Sequence, residues 1–78
     1  MDKHQQLADI ENRIKYHRPD EDAIERIAAM RGTALMWAEQ VLEYVPPGRE
    51  QALSLTKIEE ALFWANAGIA RDPVHFAD

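Results

Sequence analysis

The prolines of this chain constrain its fold more than any other feature. Pro19 disfavours helix at Arg18, Pro46-Pro47-Gly48 ends whatever precedes it, and Asp72-Pro73 stops extension past Arg71. Between these stops the apolar residues recur at helical spacing, and no strand pattern, repeat or low-complexity segment competes with them. The chain therefore reads as all-α. A short N-terminal helix is expected over about 2–15, two long helices over 21–45 and 48–71, and a tail over 72–78. Asp20 is the expected N-cap of the second helix, with Glu21 and Asp22 suiting its dipole. A tight Pro-Pro-Gly connection makes the two long helices an antiparallel hairpin. Thr56-x-x-Glu59 matches a capping box, but one continuous stripe (Ala52, Leu55, Ile58/Leu62, Ala65, Ile69) argues against a restart there.

The second helix carries Ile24, Ile27/Ala28, Arg31, Leu35, Ala38, Val41/Leu42 and Val45 on its expected seam. Further apolar residues lie off it: Met30, Trp37 and Tyr44 at seven-residue spacing, and Phe63, Ala67 and Ala70 on the third helix. Leu7, Ile10 and Ile14 add one narrow stripe on the first. A single hairpin seam cannot cover all of these. Seventy-eight residues sit near the lower limit for a self-sufficient core, and no cysteine is present to staple it. Apolar content of 46% with uncovered stripes predicts a homo-oligomer.

Composition excludes several functions. A net charge of −5 argues against a DNA or RNA coat, which needs a broad basic surface. No apolar run approaches the ~18 residues of a membrane span, and the start, MDKHQQLADIENR, lacks the apolar middle of a signal peptide. A cytoplasmic location is the expectation. His4, His17 and His75 are scattered without ligand spacing, so no metal site is expected. The acids fall as Glu39/Glu43 and Glu59/Glu60, without the Glu-x-x-Glu or Glu-x-x-Asp pairs that cage Mg²⁺ in small helical pyrophosphohydrolases. Asp22-x-x-Glu25 has that spacing but lies in a first helical turn, where acids favour the dipole anyway. With no phosphate loop and one unpartnered serine, Ser54, no enzyme is expected.

Binding chemistry gathers at two places. In AAMRGTALMWAE, residues 28–39, Arg31 falls on the expected apolar seam. A cation there must pair, with Glu59 or Glu60 of the facing helix, or meet an anion such as phosphate. Gly32 admits close approach, by a ligand or by a neighbouring helix. Thr33 points about 200° round the helix from Arg31 and addresses another surface. The second place is ENRIKYHRP, where Tyr16 offers a stacking face and His17 and Arg18 offer donors to phosphate. A loop tyrosine also serves as a lid on a hairpin.

ENRIKYHRP, an Arg-bearing helix and VPPGREQALSLTKIEEALFWANAGIAR together resemble the phage anti-CBASS sponges, small proteins that sequester cyclic oligonucleotide messengers. The same helical hairpin domain occurs in the anti-Thoeris sponge for cyclic ADP-ribose isomers, whose members carry an additional domain before it. The resemblance spans about residues 8–72, with LTKIEEALFWANAGIAR its most specific block. It implies a homohexamer with ligand sites between protomers, working in the host bacterial cytoplasm. It implies that Tyr16 and Arg31 bind cyclic dinucleotides such as 3′,3′-cyclic GMP-AMP, to which the chemistry of the loop adds His17 and Arg18. It implies Thr33 and Arg71 for a second pocket that takes cyclic trinucleotides. No cofactor is implied, and the ligands would be held without cleavage. The competing expectations are a sponge for cyclic ADP-ribose isomers, and a helical module that docks a protein through Trp37, Phe63 and Trp64.

Overall fold

In a computed structural model, which describes residues 2–16 and 18–72, the chain forms three α-helices: α1 (Lys3–Ile14), α2 (Glu21–Tyr44) and α3 (Arg49–Ala70). Local chemistry explains each boundary. Asp2 and Gln5 form a reciprocal capping box on α1: the Gln5 N–H donates to Asp2 Oδ1 at 2.8 Å and the Asp2 N–H to Gln5 Oε1 at 3.2 Å. Asp20 caps α2, its Oδ1 accepting from the Ala23 N–H at 2.7 Å, with Glu21 and Asp22 in the first turn. The Pro-Pro-Gly turn is pinned by Gln51, whose Nε2 donates to the Val45 carbonyl at 3.0 Å. α3 runs unbroken through Thr56, so no second start occurs there.

Gly48 begins α3 with φ 155° and ψ −169°, a region that only glycine occupies at ease. A Cβ at this position would meet nothing nearer than Glu50 Oε2 at 3.8 Å, an ordinary contact. The cost of a side chain is therefore backbone strain alone. Gly48→Ala is expected to lower stability by about 1–3 kcal/mol, read as a fall in the urea midpoint. An unchanged midpoint would mean that the turn relaxes freely, and that the strain argument is wrong.

α2 and α3 pack as an antiparallel hairpin, and the buried residues, Ala23, Val41 and Ile58, all lie on these two helices. The seam of α2 is rotated from the one expected. It runs through Ala23, Ile27, Ala34, Ala38, Val41 and Val45, while Ile24, Leu35 and Leu42 stand more than half exposed. Arg31 lies about 60° round the helix from Ala34 and is exposed, not seated in the core. Small alanines form the contact because they let two helix backbones approach closely. On α3 the expectation was closer: Leu55, Ile58, Leu62, Ala65 and Ile69 face the seam, although Ala52 is exposed.

Two ties close the open end of the hairpin. Arg26 reaches Asp22 one turn away (3.1 Å) and Asp72 beyond the end of α3 (3.5 Å). The Arg71 Nη2 donates to the Arg13 carbonyl at 3.3 Å, an acceptor that the last turn of α1 leaves unfilled. α1 itself has no buried residue, and its stripe of Leu7, Ile10 and Ile14 faces outward. No helix among the described residues is long and apolar enough to cross a membrane.

Candidate functional site

The hairpin carries two grooves, back to back across its seam. Ala34, Ile58 and Leu62 contribute to both. Arg31 opens onto one, of about 290 Å³, with Leu35, Ala38, Leu55 and Glu59. Thr33 opens onto the other, of about 120 Å³, with Met30, Trp37 and Ala61. Two residues apart on one helix, they address opposite faces, as the 200° between them requires. Neither groove is a closed cavity; each has an apolar floor and one or two polar groups at its rim.

Charge is placed unevenly between them. Arg31 is exposed and makes no ion pair among the described residues, so the expected seal by Glu59 or Glu60 is absent. Glu60 instead pairs with Lys57 at 3.3 Å, one turn back on its own helix. Glu59 lines the same groove as Arg31 but stands beyond ion-pair distance of it. From the sequence alone, Glu59 reads only as a counter-ion to Arg31. The register of α3 against α2, which decides what it faces, is not written in either helix alone. Thr33 is partly engaged already, its Oγ1 donating to the Ala29 carbonyl at 3.1 Å, which leaves its oxygen lone pairs to accept.

The remaining predicted residues lie elsewhere. Tyr16 is 85% exposed, just past the end of α1, and does not line the Arg31 groove. The last turn of α1 is held at the open end of the hairpin, where Arg13 meets Arg71 and Arg26 meets Asp72, and α2 rises about 7.5 Å from Arg26 to Arg31. Arg18 is exposed in the same connection, and His17 lies outside the described residues. Arg71 is nine residues beyond Leu62, roughly 13 Å further along α3 than the Thr33 groove. Its guanidinium is occupied with α1.

Gly32, between the two groove residues, has nothing among the described residues within 4 Å of where a Cβ would stand, so none of them makes use of the missing side chain. A third shallow surface, of about 300 Å³, is formed by Glu60, Phe63, Trp64 and Ala67 on α3 alone. No group of three or more His, Cys, Asp or Glu among the described residues is arranged to hold a metal ion.

A helical hairpin with these two opposed grooves matches a family model, Acb2/Tad1, hairpin domain, over residues 6–70. The chain belongs to the Acb2/Tad1 hairpin-domain family. This is the anti-CBASS and anti-Thoeris sponge family, whose members bind cyclic nucleotides. The matched segment includes all three helices nearly in full, and with them Tyr16, Arg18, Arg31 and Thr33, while Arg71 lies one residue beyond it. No curated protein and no solved structure matches the chain. The Acb2/Tad1 match thus assigns the anti-defence sponge class.

Proposed function

We propose that the protein is a phage anti-defence sponge that binds cyclic di- and trinucleotide messengers without cleaving them, and so keeps CBASS effectors inactive. The observation that carries this reading is the pair of opposed grooves, one with an exposed arginine and one with a threonine, on a sponge-family hairpin. Arg31 supplies a planar cationic fork to phosphate in the larger groove. Tyr16 stacks on a base, with Arg18 and His17 donating to phosphate nearby. Thr33 and Arg71 serve trinucleotides on the other side.

In this reading each site is completed by a neighbouring protomer, since Tyr16 and Arg71 line neither groove of the single chain. The surface supports this. The chain exposes 6506 Å², where a compact protein of 9.0 kDa exposes about 4,900 Å². The excess is about twice the ~800 Å² that one partner brings to an ordinary interface. Its radius of gyration, 16.3 Å, likewise exceeds the ~11–12 Å of a compact chain this long. Two interfaces per protomer suit a closed ring, and a homohexamer is the assembly proposed, in the host bacterial cytoplasm. Binding is stoichiometric, so protection depends on affinity and on the number of copies relative to messenger.

Calorimetric and thermal-shift titrations with 3′,3′-cyclic GMP-AMP and cyclic tri-adenylate test the reading. Ligand at a hundred times its Kd stabilises the fold by about 2.7 kcal/mol. Intact nucleotide should be recovered after the protein is denatured. A folded oligomer that gives neither heat nor shift with these ligands is not a sponge for them. A response to cyclic ADP-ribose isomers alone moves the protein to the Thoeris side of the family, and degraded nucleotide would make it an enzyme.

A further inference from the structure

The geometry points to Glu59 as the residue that selects guanine over adenine in the Arg31 groove. This assignment rests on the cyclic-nucleotide reading given above and deepens it. At about 290 Å³ the groove is at the small end for a ligand site, the size for one base and its phosphate rather than a whole cyclic nucleotide. Its floor of Ala34, Leu35, Leu55 and Leu62 offers the apolar contact that a flat ring needs on its face. The two charges stand on its two walls, Arg31 on α2 and Glu59 on α3.

Three acid–base pairs form along single helices, Asp9 with Arg13, Asp22 with Arg26, and Lys57 with Glu60. Across this groove Arg31 and Glu59 form none. The axes of packed helices stand about 8–10 Å apart, which holds the cation and the carboxylate on separate sides of whatever lies between. An occupant that satisfies both must be anionic at one end and a hydrogen-bond donor at the other. A guanine nucleotide has that polarity: its phosphate takes Arg31, and its N1–H and N2–H both donate to the acceptor-only carboxylate of Glu59. Adenine offers one N6–H donor beside the N1 lone pair, which the carboxylate repels. A well-placed bidentate contact of this kind discriminates between bases by roughly 5- to 150-fold.

Titration of wild type, Glu59→Gln and Glu59→Ala with 3′,3′-cyclic GMP-AMP, cyclic di-GMP and cyclic di-AMP tests the assignment. Glu59 is exposed and free of ion pairs among the described residues, so both variants should melt as wild type does. Wild type is expected to favour the guanine-bearing ligands. In Glu59→Gln, which trades one acceptor for a donor that meets the guanine N–H, the ratio of cyclic di-AMP to cyclic di-GMP Kd should fall about tenfold or more. Equal effects on all three ligands, or none, overturn the role of Glu59 and leave the sponge reading standing. A change in assembly mass with unchanged ratios also overturns it, because the groove would then hold a second copy of the chain. Failure of wild type to bind any of the three, when folded and assembled, overturns the role of Glu59 together with the cyclic-dinucleotide part of the sponge reading, while the cyclic tri-adenylate titration decides the rest.

Discussion

Arg31→Glu is expected to weaken binding of 3′,3′-cyclic GMP-AMP about a hundredfold or more without lowering the melting temperature of the ligand-free protein. The two halves of this result have separate causes. Arg31 is exposed and makes no ion pair among the described residues, so their packing draws no ion-pair energy from it. In the complex, each hydrogen bond from a guanidinium to phosphate contributes about 1.5–3 kcal/mol, and two such bonds are lost together. Reversal then places a carboxylate against the phosphate and beside Glu59 in one apolar-floored groove. Arg31→Lys keeps the charge but loses the fork, and should fall between wild type and Arg31→Glu. Isothermal titration alongside a melt checks both halves. Affinity for Arg31→Glu within about threefold of wild type would remove the phosphate from this groove altogether.

A comparably large effect is expected on assembly. Trp64 is 72% exposed and Phe63 61%, side by side on α3 and away from both grooves. Full burial of one such side chain contributes about 1.5–3 kcal/mol relative to exposure, and every symmetric copy repeats it. Trp64→Glu therefore puts an unpaired charge into each interface at once, while costing the isolated hairpin little. Sedimentation should give a mass near six chains of 9.0 kDa for wild type and a smaller species for the variant. The melting temperature of wild type should also rise with protein concentration. An unchanged mass for Trp64→Glu would free this surface for some other partner, as a protein-docking module would require.

The helices were legible because their ends are chemical events: Asp20 caps one, Pro46-Pro47 ends it, and Gly48 begins the next. The α2 seam was not, and the reason is physical. Alanines make the contact, and an alanine weighs little in a hydropathy pattern. Leucines and isoleucines, left exposed by the single chain, draw the apparent stripe toward themselves. A helix with apolar residues on several faces has no single periodic answer, since some faces await a neighbour. The opposed directions of Arg31 and Thr33 could be read from helical geometry alone. Glu59 could not be placed in the Arg31 groove as a ligand contact, because that follows from the register of one helix against another. The proposed meeting of Tyr16 with Arg31 belongs to a further level again, the packing of separate chains.

The slender attachment of α1 bears on time as much as on affinity. Twelve residues is the length at which a free helix in water is marginal; this one has a capping box on its own first turn, and an Arg71 hydrogen bond ties its last turn to the hairpin. With nothing buried, its opening free energy is close to zero, and its amides should exchange with solvent far sooner than those around Val41 and Ile58. Tyr16 rides at the end of this segment. Each residue fixed on docking gives up about 1–2 kcal/mol of backbone freedom, which is subtracted from whatever the stacked base contributes. In the ring assembly proposed above, neighbours that order α1 before a messenger arrives would let capture proceed at the pace of diffusion rather than of helix docking.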